Sequence, residues 1–257
     1  ETLEAIGKNY NITRERVRQI EKASLQKVKR LVEYRDLLEN LVQEIDTLVS
    51  KFGGIIEHEH LIKELLTTIG SKTNQKLNDE DRNKLIFLVE HFMPEFFTFL
   101  SAGTRNKKGM SKGDQAQKLD DVLGRIERFL ESTAKPVPPE KIAEHLSEPE
   151  DAIHSYLHLS NKIDINPFGL WGMNTWSEVK PKRMADRIYA VLDKYQEPLH
   201  YRDIAAYIEK HYGKSTHPPT VHNELIADDR FVLVGRGIYA LSDWGYTTGT
   251  AKKIVEN

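Results

Sequence analysis

The second half of the sequence contains two copies of one pattern, and this internal repeat constrains the fold more than any other feature. One copy starts at Arg125 and the other at Arg187, and the two align at a constant offset. After an insertion around residues 212–219, a second constant offset begins. Such repetition indicates that one supersecondary unit occurs twice. The matched pairs include Ile126/Ile188, Leu130/Leu192, Pro136/Pro198, His154/His222, Leu157/Leu225, Gly169/Gly237 and Trp176/Trp244.

Each copy predicts three helices followed by a β-hairpin. In the later copy, arms rich in β-forming residues flank the turn at 235–237, and the earlier copy turns near 167–169. Three helices and a β-hairpin are the plan of a winged helix. We interpret Trp176 and Trp244, which close the two hairpins, as core anchors. The predicted fold is mainly α, with a helix-turn-helix followed by tandem winged-helix modules.

A weaker third copy lies within residues 37–100, where Ile45, Val49, Ile56, Leu61 and Leu65 match apolar positions of the middle copy. The basic segment that follows is either a wing tip or a flexible linker, and its glycine and lysine content favours the linker. The predicted domains are a helix-turn-helix at 1–32, a winged-helix-like helical module at 33–100, the basic linker or wing at 101–115, winged helices at 116–179 and 180–250, and a tail at 251–257.

The first thirty residues predict two helices joined by a tight turn. Asn11 is suited to the left-handed conformation that ends a helix, and Thr13 is suited to the N-cap of the next helix. Gly7 is small where the second helix must cross the first closely. This combination is typical of a helix-turn-helix. The predicted apolar faces consist of Leu3, Ile6 and Tyr10 in the first helix and of Val17, Ile20, Leu25 and Val28 in the second.

The N-terminal end of the second helix carries side chains suited to reading DNA bases. Arginine bonds guanine O6 and N7, glutamine pairs with adenine, and glutamate accepts from cytosine N4. Residues 1–30 carry a net charge of +4, although the whole chain has −2. The candidate base-reading residues are Arg14, Glu15, Arg18 and Gln19. The candidates for phosphate contacts are Arg16, Lys22, Lys27, Lys29 and Arg30.

The segment TLEAIGKNYNITRERVRQIEKASLQKVKR resembles region 4.2 of housekeeping-type bacterial sigma factors nearly residue for residue, and its TRERVRQIE core is highly specific. In that family, region 4 reads the −35 promoter element. The resemblance implies base contacts from the same four residues and backbone contacts near Thr2, Leu3 and Glu4. It covers about an eighth of the chain. The family carries this motif close to its C-terminus, whereas more than two hundred residues follow it here.

The last module resembles the HARE-HTH domain over residues 183–246, through the segments PLHYRDIA, RFVLVGRGIYAL and WGY. That winged helix occurs in the delta subunit of bacterial RNA polymerase, in some restriction endonucleases and in eukaryotic chromatin proteins. The resemblance implies an association with transcription machinery or with DNA. It does not distinguish between the two.

Acidic residues on the third helices of the later modules argue against DNA as their partner. Such residues repel phosphates and suit a protein regulator instead. Arg236 lies between two glycines at the predicted wing tip, where it is either a phosphate contact or an ordinary exposed turn residue. The acids are Glu148, Glu150 and Asp151 in the middle module and Asp228 and Asp229 in the last one.

No feature of the sequence predicts an enzyme, a metal site or a cofactor. Cysteine is absent, and no apolar stretch approaches the ~20 residues of a membrane span. His58 and His60 in EHEHLIKE lack the HExxH spacing, so we interpret them as part of a solvated helix start. Neither a phosphate-binding loop nor a nucleophile elbow occurs. We therefore expect a cytoplasmic, nucleoid-associated protein and interpret the chain, which begins with Glu1, as a piece of a longer one.

Three functional hypotheses follow from these features. The first is a sigma-factor-like initiation protein that binds promoter DNA and core RNA polymerase, with a regulator at the acidic winged helices. The second is a stand-alone regulator or a delta-like polymerase accessory protein. The third is a structural adaptor whose helix-turn-helix no longer reads sequence.

Overall fold

The computed structural model describes residues 2–31, 33–101 and 108–246. The described residues up to Gln117 form one compact unit, and those from Lys118 onward form a second. Within these residues the chain is mainly helical, with short antiparallel sheets. The predicted tail at 251–257 lies outside the described residues.

The N-terminal residues form two helices, α1 (Leu3–Asn9) and α2 (Arg14–Val28), joined by a tight turn. Asn11 adopts the left-handed conformation with φ of 53°. The Thr13 side chain accepts a hydrogen bond of 3.1 Å from the Arg16 backbone N–H and caps α2. A Cβ atom on Gly7 would lie 2.7 Å from the Ile12 carbonyl oxygen, so only glycine allows this close crossing.

The predicted apolar faces of the two helices are only partly correct. Val17 is buried and Leu25 packs against the core of the following module. Tyr10 is 74% exposed, and Ile20 and Val28 are also exposed. Helical periodicity identifies the side that a residue lies on, but contact with another element decides whether that side is covered.

Besides one turn of 3-10 helix at Met93–Glu95, the first module, residues 33–111, contains three α-helices and three short strands. They are α3 (Glu33–Lys51), β1 (Ile55–Glu57), α4 (His58–Thr73), α5 (Asp79–Phe92), β2 (Thr98–Ser101) and β3 (Lys108–Ser111). β3 lies between β1 and β2 and is antiparallel to both. The apolar residues matched in the sequence repeat, Ile45, Val49, Ile56, Leu61 and Leu65, all lie in the buried core.

The basic segment and His58 differ from what the sequence favoured. Residues 108–111 of the basic segment form a strand that pairs with β1 and β2, and Met110 in it is fully buried, so the wing alternative fits these residues better than the favoured linker. The preceding residues 102–107 lie outside the described part. His58 is buried at the first position of α4 and is not part of a solvated helix start.

The second module, residues 116–179, contains α6 (Ala116–Thr133), α7 (Pro139–Leu146), α8 (Glu150–Leu159), β4 (Ile163–Ile165) and β5 (Trp171–Met173). Trp171 is 1% exposed and exchanges two backbone hydrogen bonds with Val137, of 2.9 and 2.8 Å. Trp171 is therefore the tryptophan at the centre of the module. Trp176, the predicted anchor, is half-buried and covers Gly172.

The third module, residues 180–246, contains α9 (Met184–Tyr195), β6 (Leu199–His200), α10 (Tyr201–Tyr212), α11 (Pro218–Ala227), β7 (Phe231–Gly235) and β8 (Ile238–Leu241). β8 lies between β6 and β7. Trp244 is only half-buried against the core. All three modules thus share the order helix, strand, helix, helix, strand, strand, with a single Val137–Trp171 bridge in place of the first strand of the second module.

The hairpin of the second module contacts the third module. Phe168, at the hairpin turn, packs against the core of the third module, and its ring lies 4.8 Å from the His211 ring and 6.3 Å from the Tyr212 ring. The Tyr195 hydroxyl lies 3.1 Å from His211 Nε2. The tip of this predicted wing is therefore engaged in a contact within the chain.

An ion network ties the start of α9 to the end of α11. The Asp186 carboxylate accepts hydrogen bonds from the side chain and backbone of Arg183 and from Arg230, which also binds Asp228 at 2.7 Å. Burial pushes the pKa of Asp186 upward, but the hydrogen bonds from Arg183 and Arg230 outweigh it and lower that pKa overall.

Replacing Asp186 with asparagine is expected to destabilise the third module by about 1–3 kcal/mol at pH 7. Because the folded-state pKa lies below the unfolded value near 3.8, the carboxylate stabilises the fold at neutral pH. That contribution disappears as the pH falls through the folded-state pKa. Urea unfolding at pH 7 and pH 3 should show less acid sensitivity in Asp186→Asn. The control, Asp229→Asn at an exposed position, should behave as the parent does.

Candidate nucleic-acid interface

The second helix of the helix-turn-helix is fixed at its C-terminal end to the first module. Leu25 packs against the core of that module, and Lys29 Nζ lies 2.9 Å from Glu95 Oε1 and 5.6 Å from the centre of the Phe92 ring. The opposite end of α2 begins at the Thr13 cap and remains exposed. The helix therefore presents its N-terminal half to solvent.

The four predicted base-reading residues share this exposed end. Arg14 and Arg18 are one helical turn apart, as are Glu15 and Gln19, so the four side chains form one strip along α2. All four are exposed, whereas Val17 faces inward. An exposed strip at the start of a helix is the part that a helix-turn-helix inserts into the major groove.

Glu15 and Arg18 form a paired fork on this strip. Arg18 Nε donates to one carboxylate oxygen of Glu15 at 2.8 Å, and Nη2 donates to the other at 2.7 Å. These hydrogen bonds lower the pKa of Glu15 and raise that of Arg18. The fork occupies the Nε edge of the guanidinium, so the Nη1/Nη2 edge keeps its donors for guanine O6 and N7.

Gln19 has a different neighbour on the strip. Arg16 Nη1 donates to Gln19 Oε1 at 3.3 Å, and Gln19 in turn hydrogen-bonds the Glu15 carboxylate and helps to lower its pKa. Pairing with adenine uses both the carbonyl and the amide of a glutamine. Arg16, predicted to contact the DNA backbone, therefore also holds the side chain of a predicted base-reading residue.

The predicted phosphate-contacting residues differ in their availability. Lys22 and Lys27 are exposed along α2, and Arg30 is exposed just beyond its end. Lys29 is not available for phosphates, because its ammonium group binds Glu95 and is only 18% exposed. The periodic pattern gave no indication that an acidic residue sixty-six positions away would bind it.

Thr2, Leu3 and Glu4 lie at the N-terminus of α1. The Thr2 hydroxyl caps the helix by accepting a 3.2 Å hydrogen bond from the Ala5 backbone N–H. Glu4 is exposed and lies 3.9 Å from Lys8, and Leu3 is half-buried. Backbone N–H groups and positive dipole at a helix start suit contact with a phosphate.

The acidic residues of the later modules are only partly placed as the sequence indicated. Glu148 lies before α8 and pairs with Arg125 at 3.4 Å. Glu150 and Asp151 occupy the first turn of α8. α11 ends at Ala227, and the charge of Asp228 beyond it is offset by Arg230, whose hydrogen bond lowers the pKa of Asp228. Arg236 is exposed at the turn between β7 and β8.

Replacing Glu15 with glutamine is expected to reduce discrimination between a −35-type duplex and a shuffled duplex by about two- to fivefold. Arg18 loses its oriented partner, while removal of a negative charge strengthens non-specific attraction to phosphates. Fluorescence anisotropy with both duplexes measures the ratio. The matched control is Glu21→Gln, which removes one exposed charge farther along α2. A similar loss of discrimination in both variants would contradict the positioning role of Glu15.

Other kinds of site are not found in the described residues. Within them, no three His, Asp or Glu side chains cluster as metal ligands. No helix among the described ones combines the length and the apolar character needed to cross a bilayer.

Comparison with known families assigns the N-terminal segment. Residues 1–30 match the family model described as Sigma-70, region 4. Searches of curated proteins and of solved structures found no match. The family interacts with DNA and with RNA polymerase in general. The prediction of a sigma region 4 helix-turn-helix is thus confirmed for this segment, while the HARE-HTH resemblance stays a prediction. Residues 1–30 form a helix-turn-helix that is similar to sigma-70 region 4, and this match supports a role in DNA binding and transcription.

Proposed function

We propose that the chain belongs to a sigma-factor-like transcription initiation protein that reads a −35-type promoter element. The observation that supports this most is the exposed strip formed by Arg14, Glu15, Arg18 and Gln19 at the free end of α2. It combines donors and acceptors suited to guanine, adenine and cytosine edges on one helical face. We further propose that the protein acts in the cytoplasm at the nucleoid and has no catalytic activity of its own.

The three modules are proposed to be winged helices that contact RNA polymerase or a regulator. Their shared order of helices and strands supports this assignment, as does the pairing of the first strand with the last in each module. Acidic side chains at the start of α8 support a protein partner for the second module. The third module is proposed to be a HARE-HTH domain.

The central test compares two duplexes of equal length and base composition, one with a −35-type element and one with the element shuffled. We expect tighter binding to the first by at least about tenfold at constant salt, because base contacts add to the phosphate contacts. Fluorescence anisotropy at two salt concentrations separates the two contributions. Equal affinities at both salt concentrations would refute sequence reading.

The fragment 116–257 is expected to bind duplex DNA weakly at physiological salt. Its 116–179 portion carries a net charge of −5, and the wing tip at Phe168 is engaged with the third module. Phosphate attraction requires local positive charge, which this fragment lacks over most of its length. Gel-shift titration against the full chain measures the difference. Tight, salt-sensitive binding by the fragment would contradict the protein-partner proposal for these modules.

The second candidate is a stand-alone regulator or a delta-like polymerase accessory protein. It is favoured by the small extent of the family match, which ends at residue 30 and leaves the three modules unassigned. Transcription assays separate the candidates. An initiation factor directs core polymerase to start at the promoter, whereas an accessory protein changes the output of polymerase that already contains a sigma factor.

A further inference from the structure

A small basic pocket lies between α6 and α7 of the second module. It has a volume of about 220 Å³ and is lined by Arg125, Arg128, Phe129, Ser132, His145 and Leu146. This volume is below the range of about 300–1,000 Å³ typical of sites for drug-sized ligands. The pocket therefore suits a small charged group.

The donors that line the pocket approach from two sides. Arg125 and Arg128 come from adjacent turns of α6, and His145 comes from the last turn of α7. Arg125 is held by hydrogen bonds from Nη2 to the Leu146 carbonyl, at 2.7 Å, and from Nη1 to Glu148, at 3.4 Å. No carboxylate belongs to the lining. Arg128 and His145 therefore add hydrogen-bond donors beside the guanidinium group of Arg125.

An aromatic contact fixes the histidine. The His145 ring stacks on the Phe129 ring with centroids 4.2 Å apart and planes at 21°. The Ser132 hydroxyl donates to the Phe129 carbonyl at 2.7 Å, which leaves its oxygen and not its proton facing outward. The direct donors to a bound anion are thus the two guanidinium groups and the imidazole.

The internal repeat shows that the fold does not require these side chains. At the offset that pairs Arg125 with Arg187, Arg128 is replaced by Ala190 and His145 by Tyr207. In the third module Ala190 is buried, whereas Arg128 in the second module is exposed. The apolar core positions Ile126 and Ile188 are identical and fully buried in both modules. The basic character of the pocket is therefore specific to the second module.

We propose that this pocket binds a phosphate group, either of a nucleic-acid backbone or of a small phosphorylated compound. Two guanidinium groups and an imidazole suit the several acceptor oxygens of a phosphate, and arginine matches its geometry with paired hydrogen bonds. The site lies outside the helix-turn-helix and does not depend on promoter reading. It gives the otherwise acidic second module one point of attraction for phosphate.

Histidine signals of the full chain provide the test. With carbon-13-labelled histidine, pyrophosphate added at about 50 mM salt should shift the His145 imidazole signal in a saturable manner. The His145→Gln variant identifies that signal. Arg128→Gln should weaken binding by about tenfold, because a hydrogen bond to a charged group is lost. The matched control, Lys141→Gln on α7 outside the lining, should leave the affinity unchanged.

The source of the phosphate is distinguished by competition. A shuffled duplex that displaces pyrophosphate from His145 indicates a nucleic-acid backbone, and failure to displace it indicates a small phosphorylated compound. An unshifted His145 signal at 10 mM pyrophosphate (about a hundredfold above the protein) would overturn the proposal. Equal weakening by Arg128→Gln and Lys141→Gln would also overturn it, since general charge would then explain the binding.

Discussion

Replacing Arg18 with alanine is expected to weaken binding to a −35-type duplex by about 1–3 kcal/mol, which corresponds to about 5- to 150-fold. Arg18 is exposed, and its Nε edge is held by Glu15, so the free edge of the guanidinium is presented in a defined direction. Arg14→Ala is expected to cost a similar amount, because Arg14 lies one turn earlier on the same strip. Anisotropy titrations at constant salt measure both losses.

The control for these variants is Lys22→Ala, on the same helix but beyond the reading strip. Loss of a phosphate contact should lower affinity for promoter and shuffled duplexes alike. It should also make the slope of log affinity against log salt concentration shallower by about one. Arg18→Ala should instead act mainly on the promoter duplex. If Arg14→Ala and Arg18→Ala weaken binding to both duplexes equally, neither arginine reads bases.

Replacing Trp171 with alanine is expected to destabilise the second unit by about 3–5 kcal/mol. The side chain is 1% exposed and packs edge-on against His158 at 5.0 Å, beside the backbone bridge that Trp171 forms with Val137. Deleting the ring removes its apolar contacts and leaves a cavity. Chemical unfolding followed by circular dichroism measures the loss.

Trp176→Ala is the comparison for that experiment. Trp176 is half-buried, and its ring covers Gly172, where a Cβ atom would come within 2.8 Å of it. Its removal exposes the surface of the hairpin without opening the centre of the module, so we expect a clearly smaller loss. A loss at Trp176 equal to that at Trp171 would mean that the hairpin end, and not the centre, stabilises the module.

Local signals in the sequence were sufficient for the helix-turn-helix. The turn depends on Asn11 and Thr13, whose backbone preference and capping act within four residues, and both behave as predicted. The strip from Arg14 to Gln19 follows from helical geometry alone. Exposure of Tyr10 and pairing of Lys29 with Glu95 were not predictable, because each depends on which distant element packs nearby.

The repeat predicted the order of the helices and hairpins but not which residues are buried at the centre of each module. Trp176 aligns with Trp244 in the repeat, and this identity suggested that both are structural. The buried Trp171 instead corresponds to Tyr239, because Trp171 pairs with Val137 as Tyr239 pairs with Leu199 in the first strand of its module. Identity between copies marks equivalent positions and does not measure burial. For residues 108–111 the sequence allowed a wing or a linker, and their glycine and lysine content favoured the linker. Only the pairing of their backbone with two strands shows that they form a strand.

The attachment of α2 to the first module has a thermodynamic consequence. Leu25 of α2 packs against the core of that module, and Lys29 at the C-cap of α2 contacts Phe92 and Glu95. Because a ligand that binds only the folded form stabilises it by mass action, the DNA binding proposed for the N-terminal end of α2 is expected to oppose unfolding of residues 33–111 as well. On this proposal, promoter occupancy and the free energy of unfolding of the first module are coupled quantities.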